Sequence, residues 1–387
     1  MKEDRFSKAM LETPPSGIRK FFEMLIGHDD VISLSVGEPD FPTPWCMREE
    51  AFYHLEKGHT SYTSNWGLIE LREEIAKYLE RYNMYYNPTN EIMITVGASE
   101  GVDACLRAIL NPGDEIIVCQ PCYVNYTPLA NLCFAKVIPL DTSVNGFYPT
   151  AEQIENAITP KTKAIMMCSP NNPTGTMIPK SELAKIAEVI KKHEIWCISD
   201  EIYCELVYDE NEHVSIGSFP GMKDYTIILN GFSKSFAMTG WRIGYIAACK
   251  DLLAQIIKLH GYNTICAPIM SQYAAIEGLK NGWNDVEKMR ISYQQRRNLM
   301  AKAFNDMGLP VPEPTGAFYM FPDISSTGMS SDEFATKLFQ QKNVAVVPGS
   351  VFGLGGEGHI RCCYATAIDK IRTALQRIEE FINENKK

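Results

Sequence analysis

Along the first two-thirds of the chain, short apolar runs rich in β-branched residues alternate with longer stretches of helical periodicity. EIMITV, EIIVC, AKVIPL, KAIMMC, IWCIS, TIILN and IGYIAA are the strand candidates. Between them, Leu68 to Tyr82 sets Leu71, Ile75, Leu79 and Tyr82 on one face of a helix. A second helix, capped by Ser181, does the same with Leu183, Ile186 and Ile190. Strands separated by helices predict a largely parallel sheet covered by helices on both faces. From Trp283 to Met307 the helical spacing runs unbroken through Val286, Met289, Tyr293, Met300, Phe304 and Met307, long enough to join two lobes. GAFYMFP, NVAVVP and HIRCCYA then read as strands, and Ile368, Ile371, Leu375, Ile378 and Ile382 line one face of a closing helix. The expected organisation is α/β. Residues 1–45 form an N-terminal arm with part of a small domain, 46–285 a large domain, and 286–387 the rest of a smaller α+β domain. No internal repeat or low-complexity linker marks the boundaries.

Composition narrows function more than fold. At 387 residues the chain exceeds the roughly 250 to 300 at which a single core stops growing, in keeping with two lobes. No stretch reaches the roughly 18 apolar residues of a membrane span. The charged opening MKEDRFSKAM lacks the apolar centre of a secretory signal, so a cytoplasmic protein without a membrane partner is expected. Against 37 Lys and Arg stand 47 Asp and Glu, a net charge of −10 with no basic run, which argues against nucleic acid and for small-molecule ligands. The 12 cysteines then read as reduced core thiols and not as a disulfide framework. Cys119 and Cys122 form one CxxC, but no second pair and no nearby histidines supply the roughly four ligands that zinc takes, so a strand end is the better reading and no metal is expected. Cys362 and Cys363 fall in an apolar run read as a core strand.

Candidate chemistry gathers at a few turns. GFSKSFAMTGWRIG, Gly231 to Gly244, sets Lys234 among Gly231, Phe232, Ser233 and Phe236, surroundings that penalise an ammonium and favour a neutral amine able to form an imine. Eight residues on, Arg242 offers the permanent charge and forked donors that suit a phosphate dianion. EIMITV runs into Gly97, Ala98 and Ser99 at the start of a helix reaching Leu110. These three are either a plain cap or, with bare N–H groups at a positive dipole end, a phosphate site. SPNNPTG, Ser169 to Gly175, says by itself only that the chain turns after a strand. IWCIS delivers Asp200 at a strand end, followed by Glu201, Ile202 and Tyr203, where an acidic residue can also be a helix cap. Tyr123 in PCYVNY is either a core tyrosine or a ring facing a ligand, and Arg361 in GHIRCCYAT either a buried ion pair or an anion site. Gly353, Gly355 and Gly358 satisfy GxGxxG, but they precede a strand instead of following one, so they are loop glycines and no dinucleotide site.

In this order, over about Ser35 to Thr366, these pieces resemble the class I and II aminotransferases, nearest to the branch holding aspartate, aromatic and N-acetyl-diaminopimelate aminotransferases. The resemblance implies fold type I: a large domain with a mostly parallel seven-stranded sheet sandwiched by helices, plus a smaller α+β domain. It also implies a homodimer with active sites at the interface. Pyridoxal 5′-phosphate would be held by Lys234 as a Schiff base, and the same lysine would move the substrate α-proton. Gly97, Ala98, Ser99 and Arg242 would cup the phosphate, with Ser233 in the cofactor-binding set. Asp200 would pair with the pyridine nitrogen and keep the ring an electron sink. Asn172 and Tyr203 would bond the ring hydroxyl, and Tyr123 would stack on the ring. Gly37 in SVGEPDF, Asn172 and Arg361 would meet the substrate α-carboxylate, Arg361 bidentately. Tyr62 in HTSYTSNWG, otherwise a loop tyrosine, would cross to the cofactor phosphate of the other subunit. The implied reaction moves the amino group of an L-amino acid to a 2-oxo acid such as 2-oxoglutarate, within amino-acid metabolism. Two departures argue against a strict aspartate preference: Ser99 stands where some aspartate-preferring relatives carry a lysine, and Tyr123 where some carry a tryptophan. A carbon–sulfur β-lyase of the same fold is the alternative enzyme. The effector-sensing half of a transcription regulator would need a DNA-binding module first, and the stretch before Ser35 is too short for one.

Overall fold

The computed structural model describes residues 5–15, 17–18 and 30–385; the rest of the expected N-terminal arm lies outside the described residues. After a two-residue strand, β1 (Ile32–Ser33), seven strands form one sheet: β2 (Ile92–Thr95), β3 (Glu115–Gln120), β4 (Lys136–Asp141), β5 (Thr162–Cys168), β6 (Trp196–Asp200), β7 (Thr226–Gly231) and β8 (Gly244–Ala247). They are ordered β2-β8-β7-β6-β5-β3-β4. These are the seven runs read from the hydrophobic pattern, and the mostly parallel sheet is as expected. Only β8 runs antiparallel to its neighbours, β2 and β7. It follows β7 without the crossover helix that a parallel return requires.

Every residue of β2, β3, β7 and β8 is buried, which is why these runs read as continuously apolar. Successive side chains still alternate between the two sides of the sheet. Ile198, Ile227 and Leu229 pack on one side with helix α2 (Ala98–Ile109), while Cys197 and Ile228 turn to the other side, each into a separate core there. Ile186 and Ile190 of α4 (Lys180–His193) share the core of Cys197. Burying one such aliphatic side chain contributes about 1.5–3 kcal/mol. An aspartate at Ile198 would place an unpaired carboxylate at 0% exposure and break the sheet.

Local boundaries depart from expectation in instructive ways. Helix α1 (Ile69–Glu80) stops short of Leu68 and Tyr82, which pack half-buried at its two ends. Ser181 does not cap α4: Pro179 holds the N-cap position at φ −59°, and Ser181 is exposed inside the first turn. With φ fixed by its ring, Pro179 leads the chain into the helix two residues before a cap at Ser181 would. NVAVVP is two strands, β10 (Val344–Ala345) and β11 (Val347–Pro348), because the chain changes partners at Val346. β10 pairs parallel with β1, whereas β11 joins β12 (Ile360–Cys363) and β9 (Tyr319–Met320) in an antiparallel sheet. GAFYMFP contributes only the two residues of β9.

A 24-residue helix, α6 (Trp283–Asp306), links the cores. Its Val286 packs with the sheet, and its Met289, Tyr293, Met300 and Phe304 pack with β9, β12 and the closing helix α7 (Ile368–Asn385). Ile371, Leu375, Ile378 and Ile382 of α7 are buried, while Ile368 at its first turn is exposed. Cys119 lies near the end of β3, and Cys362 and Cys363 are fully buried in β12. Gly353, Gly355 and Gly358 all have positive φ in the loop before β12, where a dinucleotide fold has no use for them. Among the described residues no helix is long and apolar enough to cross a membrane, and no group of three or more His, Cys, Asp or Glu side chains could hold a metal ion.

Candidate active site

The loops leaving β3, β5, β6 and β7 meet loop 35–41 and β12 around a cavity of about 480 Å³. Outside the carboxyl ends of parallel strands is where an open α/β sheet leaves room for ligands. Of the residues singled out from sequence, Gly37, Ala98, Ser99, Tyr123, Asn172, Asp200, Tyr203, Ser233, Lys234, Arg242 and Arg361 all line it. Gly97 lies just behind. A Cβ there would come within 2.6 Å of Arg242 Nη2, and its φ of +77° disfavours any other residue, so only glycine lets the guanidinium sit against the start of α2. Tyr62 is the exception: it is 80% exposed and lies away from this cavity.

Lys234 Nζ donates to the Gly37 carbonyl at 2.7 Å. Burial is the main reason its pKa falls to about 8; Cys363 and Glu38 oppose the shift, and Arg361 and Arg242 add to it. A lysine so placed is half neutral near pH 8 and is a nucleophile and base that a surface lysine is not. Gly37 is fitted to the site as tightly, since a Cβ there would lie 2.1 Å from the Tyr319 hydroxyl. The Thr239 hydroxyl donates to Glu38, which ties loop 35–41 to the turn that carries Arg242.

Asp200, at the end of β6, is 5% exposed. Burial pushes its carboxyl up, against the Tyr126 hydroxyl at 2.6 Å and the Ile202 N–H at 3.1 Å, which stabilise the charged form. Tyr203 shares a hydrogen bond of 2.9 Å with Tyr319, and burial holds its hydroxyl protonated, well above the ordinary tyrosine value. Tyr123 is fixed by a hydrogen bond from Asn125 at 3.0 Å and an edge contact with Tyr126.

Arg361 is held differently from the buried arginines near it. Three arginines of this region are nearly fully buried, Arg296, Arg297 and Arg361. The first two pair with Asp40 and Asp209. Arg361 instead donates to Asn172 Oδ1 at 2.9 Å and the Ser35 carbonyl at 2.7 Å, and no carboxylate among the described residues pairs with it. A buried charge without a counter-ion is costly, and an arginine so placed can take an anion that comes from outside.

The family described as Aminotransferase class I and II matches residues 29–378. The chain belongs to this family. Similar proteins include YugH of Bacillus subtilis (strain 168), named as an aminotransferase, 53% identical over 96% of each chain. The aspartate aminotransferase of Pyrococcus abyssi (strain GE5 / Orsay) is 43% identical over 96% of this chain and 97% of its own. The crystal structure of an aromatic aminotransferase from Pyrococcus horikoshii OT3 superposes with a TM-score of 0.90 at 41% identity, covering 95% of this chain and 99% of that one. The aminotransferase fold is therefore fold type I, and the chain is an enzyme of amino-group transfer.

Sequence reasoning missed Tyr126 and Tyr319 in this aminotransferase site. Tyr126 stands in the motif read for Tyr123, three residues on, but its partner Asp200 is 74 residues away and no local pattern announces the bond. Tyr319 was visible only as one aromatic in an apolar run.

Proposed function

We propose that this aminotransferase works with pyridoxal 5′-phosphate and moves the amino group of an L-amino acid to a 2-oxo acid such as 2-oxoglutarate. One observation carries the reading: a single cavity holds Lys234, with its pKa near 8, between the buried carboxylate of Asp200 and a buried arginine without a counter-ion. The residues fit the cofactor. Asp200 suits a protonated ring nitrogen, Asn172 and Tyr203 the ring hydroxyl, and Tyr123 the ring face. Gly97, Ala98, Ser99, Ser233 and Arg242 suit the phosphate, with backbone N–H groups at a helix start and a guanidinium against it. When bound, the cofactor supplies a carbonyl for the amine and a ring that takes up the charge left by the α-proton.

This chain's residues do the rest. Lys234 anchors the cofactor and, once released, holds the α-proton as general base. Arg361, Asn172 and the Gly37 backbone fix the substrate α-carboxylate, which turns the α-carbon toward Lys234. Lys234, Arg242 and Arg361 are the only lysine or arginine side chains among the described residues lining the cavity, and Ser99 brings no charge. A donor's second carboxylate thus finds no dedicated cation within one chain, which supports a broad donor range of the aspartate and aromatic type. Tyr62, exposed on this chain, would serve the phosphate of a partner subunit in a cytoplasmic homodimer, with domain divisions near residues 45 and 285. The relatives are named as aminotransferases, and nothing here favours the β-lyase reading. A panel of L-amino acids with 2-oxoglutarate tests it. Glutamate should form with acidic and aromatic donors, whereas pyruvate from cystathionine without an acceptor would point to the lyase.

A further inference from the structure

Next to the proposed phosphate cup sits a charge that works against it. Glu100 lies in the first turn of α2, one residue past Ser99. A carboxylate there competes with a phosphate dianion for the positive end of the same helix. Three donors hold it in place. Glu100 Oε2 accepts the Val96 N–H at 2.5 Å, and Oε1 accepts His260 Nδ1–H at 2.6 Å and the Thr264 hydroxyl at 3.4 Å.

His260 comes from the last turn of a different helix, α5 (Lys250–Asn263), 160 residues away in the chain. Its side chain is 0% exposed, while that of Glu100 is 18% exposed. His260 Nε2 is buried with no hydrogen-bond partner among the described residues. Burying a ring nitrogen unsatisfied is unfavourable, and an apolar side chain would fill the place without that cost. The one bond that the ring makes, to Glu100, is what a histidine adds here.

We infer that His260 is a positioning residue for the cofactor phosphate. It draws the Glu100 carboxylate away from the bare N–H groups of Ala98 and Ser99 and spreads its charge onto the imidazole. The helix end is left open to the phosphate. This rests on the phosphate cup proposed above, so the test separates the two.

The full-length chain, freed of cofactor, is titrated with pyridoxal phosphate and with unphosphorylated pyridoxal. Wild type prefers the phosphorylated form. His260→Phe keeps a buried ring and removes the donor, and its affinity for pyridoxal phosphate falls about threefold to thirtyfold, the range a charge gains or loses at a helix end. Its affinity for pyridoxal is unchanged. His260→Asn, whose amide N–H takes the Nδ1 place, binds as wild type does. The deciding variant adds Glu100→Gln to His260→Phe: with the charge gone, affinity returns to within about twofold of wild type, a recovery that only coupling between these two bonded residues gives. A histidine with a merely structural role predicts the reverse, a double variant no tighter than the single and pyridoxal weakened alongside. Where His260→Phe does not fold, His260→Gln, which has no amide at the Nδ1 place, meets the same demand. If wild type binds both ligands equally, the cup itself is wrong. If it prefers pyridoxal phosphate and the double variant does not recover, the cup stands and the role of His260 falls.

Discussion

Arg361 and Arg242 line one cavity and are held in opposite ways. Arg361 is 2% exposed, lies over the rings of Tyr319 and Phe352 at 4.5 and 5.0 Å, and spends its donors on Asn172 and Ser35. Arg242 is exposed, sits in the left-handed region at φ +53°, and donates to the Thr239 carbonyl at 3.0 Å. The first site is built within one chain, and its desolvation is met by folding before any ligand arrives. The second site is a helix start, a turn and an open guanidinium, a design that a second chain can finish. The difference teaches where each variant should register: at the buried site on every donor, at the open site on the cofactor.

The largest expected effect comes from the lysine that shares their cavity. Lys234→Ala should abolish transfer while both anion sites remain, so the variant still binds pyridoxal phosphate but without covalent attachment. Borohydride reduction of wild type followed by peptide mapping checks the assignment, and a pyridoxyl group on any other lysine would overturn it.

Arg361→Leu comes next. Loss of a buried, charged bidentate contact costs about 2 to 5 kcal/mol, or roughly thirty- to several-thousandfold. KM should rise for many donors together, because the α-carboxylate is common to all of them, and the cofactor spectrum should stay that of wild type. An unchanged kcat/KM would make Arg361 structural and dissolve the contrast between the two arginines.

How much of this was legible in the sequence follows from how local each feature is. The inner strands of the large sheet could be read because burial on both faces writes itself as an apolar run, as in TIILN, and the edge strand β4, partly exposed, could be read because Val137, Ile138 and Leu140 still make it apolar. The pairs β1–β10 and β11–β12 could not. Their partners are chosen by tertiary packing, and a two-residue strand leaves no period to read. The same division runs through the site. Lys234 sits among residue types that announce chemistry by themselves, whereas Asn172, Asp200 and Arg361 drew their roles from the order of motifs that the family shares, and all four line one cavity. Tyr126 and His260 act on partners 74 and 160 residues away, so their meaning exists only once the chain is folded.

The open site yields a smaller effect with a sharper geometric demand. Loss of one hydrogen bond to a charged group costs about 1.5 to 3 kcal/mol, so Tyr62→Ala should weaken cofactor binding some ten- to hundredfold. In a heterodimer of Lys234→Ala and Tyr62→Ala chains, the site on the second chain's Lys234 receives an intact Tyr62 from the first. That site is wild type, and the other carries both defects. Mixed and refolded chains should therefore recover activity beyond the sum of the two homodimers at limiting cofactor. Verified heterodimers without recovery would return Tyr62 to its own chain or to no site.

The smallest effect concerns protons. Lys234 has a pKa of about 8, lowered chiefly by burial and further by Arg361 and Arg242. The form that attacks a carbonyl is the neutral amine, so covalent attachment of added pyridoxal phosphate should be fast above pH 8 and slow as pH falls through 8. Between pH 8 and pH 7 the neutral fraction drops roughly fivefold, whereas a lysine at its ordinary pKa near 10.4 would give a tenfold fall per unit throughout this range and no plateau above 8. The rate of growth of the cofactor's attached absorbance, followed against pH, reads this directly. Arg361→Leu sharpens it, because removing one of the two cations that depress the pKa should move the midpoint upward, toward the ordinary lysine value. Arg242 cannot be used in the same way, since its loss would also remove a phosphate contact and slow attachment for that reason. A midpoint unmoved by Arg361→Leu would mean that Arg361 has no part in setting the lysine's pKa and that it speaks only to the substrate.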